Sequence, residues 1–198
     1  LSTFLYSQDF YNVDLNATGV SQLVILQNSI TSLEEGDEIG IFDESAILNS
    51  GDCSSQVGEL LVGAGTWTGA QLAQTAIGSV DNCAFGGFQL PGWVDGNSVI
   101  IKVYRASNET EYTATATYAA GTGTFGDLFM AVSELTLDEG VIVVTGCMDE
   151  TACNYDDTAT VDNGTCEFSD VGYDCDGDCT IGVDCAGVCG GTNWESDC

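Results

Sequence analysis

The sequence predicts an all-β protein: an antiparallel β-sandwich over residues 1–145, then a small, irregular, acidic module over residues 146–198 stapled by disulfides. Three observations predict it. Apolar and polar residues alternate with a period of two in several short segments, and no long 3.6-residue apolar period appears. Turn residues separate those segments about every ten positions, the spacing of sandwich strands. Eight of the ten cysteines follow Gly146, where large apolar residues become too few to build a core, so crosslinks or ions must order the end of the chain.

Taken in order, "LSTFLYSQDF" sets Leu1, Thr3 and Leu5 against Phe4 and Tyr6 before any turn signal. Such a strand can pair within its own sheet or complete the sheet of a neighbouring copy. "SQLVILQ" (21–27), "DEIGIFD" (37–43) and "GELLVG" (58–63) follow as strand candidates. In "NSVIIKVYRA", Val99, Ile101 and Val103 share one face, while Ile100, Lys102 and Tyr104 share the other. "EYTATATY" sets Tyr112, Ala114, Ala116 and Tyr118 against three threonines, and "LFMAVSEL" (128–135) and "VIVVTG" (141–146) complete the set. The joints "EEGD", "NSGD", "VDGN", "ASNET" and "AGTGTFGD" carry turn chemistry. The one proline, Pro91, lies in a Gly-rich connection where its fixed φ interrupts no ladder.

Charge narrows the partners. The 31 acids stand against Lys102 and Arg105 alone, a net charge of -29. Two cations neutralise almost no phosphate, which excludes nucleic acid, and an anionic membrane surface is repelled in the same way. No apolar run reaches the roughly 18 residues of a membrane span. Self-repulsion on this scale needs relief, either from high salt, which shortens the Debye length to several ångströms, or from bound divalent cations.

The cysteines are read as disulfides in an oxidising, extracellular compartment. The chain opens at Leu1 without Met, as expected of a mature product whose export signal has been removed. Cys53 and Cys83 precede the composition break and are the expected pair. Cys147, Cys153, Cys166, Cys175, Cys179, Cys185, Cys189 and Cys198 allow 105 pairings, among which the sequence does not choose. The C-x3-C-x5-C-x3-C run of Cys175, Cys179, Cys185 and Cys189 has enough thiolates for zinc. Its neighbours Asp174, Asp176, Asp178 and Asp184 would leave that site strongly negative, so disulfides are the simpler outcome. No C-x-x-C redox motif is present.

Calcium is the candidate ion. "DCDGDC" puts Asp174, Asp176 and Asp178 at alternate positions, as oxygen ligands of calcium loops often are, although Cys179 and Cys185 stand where an EF-hand has Gly and Glu. Asp149, Asn154, Asp156, Asp157 and Asp162 form a second set. The absence of histidine removes the commonest general base, and no catalysis is expected. Trp67 and Trp93, with Tyr104 and Trp194, are candidates for a sugar-stacking platform, against the commoner role of such residues in packing.

"GCMDETACNYDDTATVDNGTCEF" resembles the Cys/Asp-rich repeat, roughly C-x-D-x-x-A-C-N-Y, of large secreted surface proteins from gliding marine bacteria. "DCAGVCGGT" resembles a short segment that often follows it, and "GDEIGIFDE", "LPGWVDGNSVIIKVYR" and "FGDLFMAVSEL" are similar to a β domain of the same proteins. The resemblance covers most of the chain, which carries one copy of the repeat where such proteins carry arrays. It implies a cell-surface, adhesin-like role, export by the sorting route of such bacteria, and no known catalysis. It also implies O-glycosylation at Thr158, in "DTA"; the Asn16, Asn108 and Asn163 sequons are weaker signals. The expected function is thus a secreted structural surface protein, adhesin-like or a filament subunit, stabilised by calcium and self-associating. The alternative is a calcium-dependent carbohydrate-binding module whose partners are surface glycans.

Overall fold

The computed structural model describes residues 10–192. The chain divides into two units after Ile142, within a few residues of the composition break. The first holds β1 (Ser21–Leu26), β2 (Glu38–Ile47), β3 (Val57–Thr66), β4 (Leu72–Ile77), β5 (Val80–Asp81), β6 (Gln89–Leu90), β7 (Ile100–Arg105), β8 (Thr110–Ala120), β9 (Phe129–Leu137) and β10 (Val141–Ile142). The second holds β11 (Thr145–Gly146) and β12 (Val161–Asp162). Among the described residues the only helical segment is a 3₁₀ turn at Cys83–Phe85. The chain is all-β.

The main sheet runs β3-β2-β7-β8-β9-β1-β4, with β10 pairing β8 beside that path, and β5 and β6 form a separate ribbon. The inward residues of its strands converge. Val24 and Leu26 of β1, Ile39 and Ile41 of β2, Val62 of β3, Ala76 of β4, Ile101 and Val103 of β7, Ala114 of β8, and Met130, Val132 and Leu135 of β9 form one buried cluster with Trp67, Trp93 and Phe125. A sheet that points one face of seven strands at one cluster must bend round it. The two facing layers of the expected sandwich are therefore halves of one folded sheet.

Within the main sheet, one pairing departs from the expected antiparallel pattern. β1 and β9 run parallel, from Leu23 opposite Phe129 to Leu26 opposite Val132. A parallel pair cannot be joined by a tight hairpin. Here the connection is most of the first unit, so β1 enters the sheet between β9 and β4.

The sheet ends, β3 and β4, meet across glycines. A Cβ added to Gly63 would lie 3.0 Å from the Thr75 carbonyl oxygen, and one added to Gly65 would overlap the Gln74 carboxamide. Gln74 is buried, so it has little room to give way. Gly65→Val is expected to lower stability by about 1–3 kcal/mol through overpacking. An unchanged urea midpoint would show that the two ends do not pack as described.

The second unit is built from turns that repeat. Asp149, Asp156 and Asn163, seven residues apart, each use Oδ1 to accept both the backbone N–H and the hydroxyl of the threonine two residues on: Thr151, Thr158 and Thr165. Short polar side chains close turns in this way because they can replace a backbone acceptor. A second repeat follows, with a ten-residue period: "GYDCDGDCTI" (172–181) and "GVDCAGVCGG" (182–191). Asp174 N–H donates to the Asp178 carbonyl and Thr180 N–H to Gly172; Asp184 N–H donates to Val188 and Gly190 N–H to Gly182. Gly177 and Gly187 hold the same turn position with φ of 82° and 80°, where a Cβ would be strained.

Disulfides tie these turns together. Cys147 bonds Cys166, Cys153 bonds Cys175, and Cys179 bonds Cys189, ten residues on, in the next ring. In the first unit Cys53 bonds Cys83, the expected pair. Cys185 is bonded as well, and no described cysteine is free. Cys198 lies outside the described residues.

Candidate functional site

The acidic turns of the second unit hold the expected ion-binding residues. Asp174 Oδ1 accepts the backbone N–H groups of Asp176 and Asp178 at 3.1 and 2.8 Å. In the next ring Asp184 Oδ1 accepts those of Ala186 and Val188 at 3.0 and 2.9 Å. That second turn has no other acid, yet its geometry is the same. One of the three alternating aspartates is therefore explained as a turn acceptor, while Asp176 and Asp178 stay exposed.

The other set behaves alike. Asp156 Oδ1 accepts the Thr158 hydroxyl at 2.7 Å and its N–H at 2.9 Å. Asp162 Oδ1 accepts the Gly164 N–H at 3.0 Å. Bonds from the threonine hydroxyl, then from its N–H, hold the Asp156 and Asp149 carboxyls below the ordinary carboxylate range. Among the described residues no three Cys, Asp or Glu side chains converge on a point that could hold a metal ion. The carboxylates are laid out along successive turns. The four thiols proposed for zinc are all consumed in disulfides.

The sugar-platform candidates are a correction. Trp67 and Trp93 are 3% and 7% exposed and belong to the core. Trp93 stacks on Phe125 at 5.2 Å and donates its indole N–H to the Ala76 carbonyl, so neither tryptophan offers a face to a ligand. Tyr104 is covered by Phe10, ring centroids 3.9 Å apart. Trp194 lies outside the described residues. Thr158 is exposed, as an acceptor for sugar must be. Asn16 and Asn108 are exposed too, and Asn108 donates its amide to the Tyr112 hydroxyl.

Three carboxylates in or just before β2 carry structure that alternation did not signal. Asp37 is paired in fork geometry with Arg105, at 3.0 Å to Nε and 2.7 Å to Nη2. The guanidinium pKa is raised, first by this bond to Asp37. Asp43 is fully buried and accepts from Ser45 and Val94 N–H groups and the Asn97 amide, tying β2 to the turn before β7. Glu38 accepts the N–H groups of Phe10 and Tyr11, at 3.0 and 2.9 Å to Oε2. Tyr11 donates its hydroxyl to Glu111 at 2.6 Å. Burial first, and then that bond, push the phenol pKa far up, so it stays protonated. The chain is thereby rooted on the outer face of β2, β7 and β8; the terminal strand expected at Leu1, Thr3 and Leu5 lies outside the described residues.

No helix among the described residues is long and apolar enough to cross a membrane. Compared with known proteins, the chain matches no family model, no curated protein sequence and no solved structure.

Proposed function

We propose that this is an extracellular structural protein, an adhesin-like element or filament subunit, whose second unit is a covalently stapled spacer. The observation that carries this reading is the second unit itself. Its turns repeat, its carboxylates serve as turn acceptors, and crosslinks replace a core. A module of that kind holds a shape without needing chemistry. Disulfides persist in oxidising compartments, which favours a secreted or cell-surface location. Glycosylation at exposed Thr158 belongs to the same reading.

Self-association is supported by an apolar pair on the outside of the sheet. Leu23 and Phe129 sit opposite each other on the parallel ladder, 39% and 42% exposed, beside Leu128 at 94%. The alternating sequence of residues 1–6, outside the described residues, is the segment that a neighbouring copy would accept in this reading, and repeated use of one strand and one groove builds a filament. High salt or calcium, gathered diffusely along the acidic turns, relieves the charge repulsion that opposes assembly. The carbohydrate-binding alternative loses its two main residues to the core.

The test is electron microscopy of the full chain in calcium and high salt. Filaments are expected there and not in chelator at low salt. Removal of residues 1–8 should leave folded monomers. Full-length protein that stays monomeric under all these conditions overturns the filament reading.

A further inference from the structure

The second unit contains a cleft that neither the turns nor the crosslinks explain. It has a volume of about 390 Å³ and lies where the seven-residue turns meet the ten-residue rings, beside the Cys153–Cys175 bridge. Phe168 and Tyr173 line it, 58% and 39% exposed, together with Glu167, Asp170 and Asp174. An exposed phenylalanine in a unit with so few large apolar residues has no core to fill.

From this lining we propose that the cleft binds an alkylammonium group with an apolar stem, such as a lysine side chain presented by a partner protein. Three physical points lead there. Aromatic rings attract cations at their faces, and nearby carboxylates add to the attraction. The carboxylates do not converge as a metal site would require, so a cation whose charge and apolar body are spread over several ångströms fits better than a small dication. The cation must also come from outside. Lys102 is paired with Glu59 at 2.7 Å and Arg105 with Asp37 and Glu34, and the chain has no other basic side chain. The volume lies in the lower range of ligand pockets, adequate for one side chain. This site stands whether or not the protein forms filaments.

The test uses the full-length protein and nuclear magnetic resonance titration with the tripeptide acetyl-Gly-Lys-Gly-amide. Saturable shifts are expected at residues 167–177, with much smaller ones at the Asp149 and Asp156 turns. The same peptide with N-acetyl-lysine, which keeps the stem and loses the charge, should shift them at least tenfold less. Choline, tested in parallel, distinguishes a free quaternary amine from a protein-borne lysine by which saturates at the lower concentration. Phe168→Ala and the double variant Glu167→Gln/Asp170→Asn should each weaken binding at least fivefold. None of these side chains makes a hydrogen bond to another described residue that the substitution would break, and an unchanged spectrum at residues 182–191 checks that the rings stay intact. Non-saturating shifts spread equally over all acidic turns, or equal shifts from the acetylated peptide, would overturn the proposal.

Discussion

Reduction of the disulfides is expected to unfold residues 143–192 while the sheet unit stays folded. The core cluster lies wholly within the first unit. In the second, the buried apolar residues are Val143, Cys147 and Ala152, far too little area to offset the entropy of ordering some fifty residues at about 1–2 kcal/mol each. Each native disulfide of a small module contributes typically 2–5 kcal/mol. Three of them close loops of 19, 22 and 10 residues. The sheet loses only Cys53–Cys83, which joins two exposed loops. Amide resonances of the second unit should collapse to random-coil positions in reductant while those of β1–β9 keep their dispersion. Protected amides persisting in residues 172–191 after full reduction would mean that the turns hold themselves.

The second large effect is expected at Arg105. Asp37 is 2% exposed, and the guanidinium gives it two bonds while also bonding the Ser32 carbonyl, which closes the segment before β2 onto β7. Arg105→Ala leaves a buried carboxylate without its countercharge, a change that costs about 3–5 kcal/mol. The melting temperature of the first unit should fall by roughly 10 °C. Arg105→Lys keeps the charge but not the planar fork, and should lie between. Replacing both partners, as Asp37→Leu/Arg105→Leu, should recover much of the loss, since well-packed apolar residues often replace a buried pair at little cost. A loss in Arg105→Ala no larger than that of an exposed Lys102–Glu59 break would assign the clamp to the surface class of ion pairs.

Much of the sheet was legible because burial and alternation agree. Val99, Ile101 and Val103 are inward as their period of two requires, β8 overlaps the alternating "EYTATATY", and β1, β2, β3 and β9 each overlap a segment read as a strand candidate. β4 was not legible. Its inward residues are Gln74 and Ala76, one polar and one small, so no apolar rhythm announces "LAQTAI". Gln74 is inward because Gly65 leaves it room, a fact about two distant strands that no local pattern contains. The stretch "VIVVTG" reads as one strand but is divided, with Val141–Ile142 pairing β8 and Thr145–Gly146 pairing β12. Its apolar residues satisfy either sheet, so composition cannot locate the break. In the second unit the cysteines announced crosslinking, but the choice among 105 pairings depended on turns that bring Cys179 and Cys189 to the same place in successive rings. Spacing also does not show that Asp174 Oδ1 accepts two backbone N–H groups, so the part this residue plays in its turn was not legible.

Those interleaved bridges also set how the second unit responds to being pulled. Without crosslinks, the chain from Cys147 to Cys189 could be drawn out to about 150 Å. With them, tension takes the shortest covalent route, from Cys147 to Cys153, across to Cys175, along to Cys179 and across to Cys189. That route spans only about 45 Å at full stretch. Load beyond that point falls on covalent bonds, and the hydrogen-bonded turns hang beside the taut line as slack. Once that route is taut the segment can lengthen little further, and reduction of the bridges would release the full contour length.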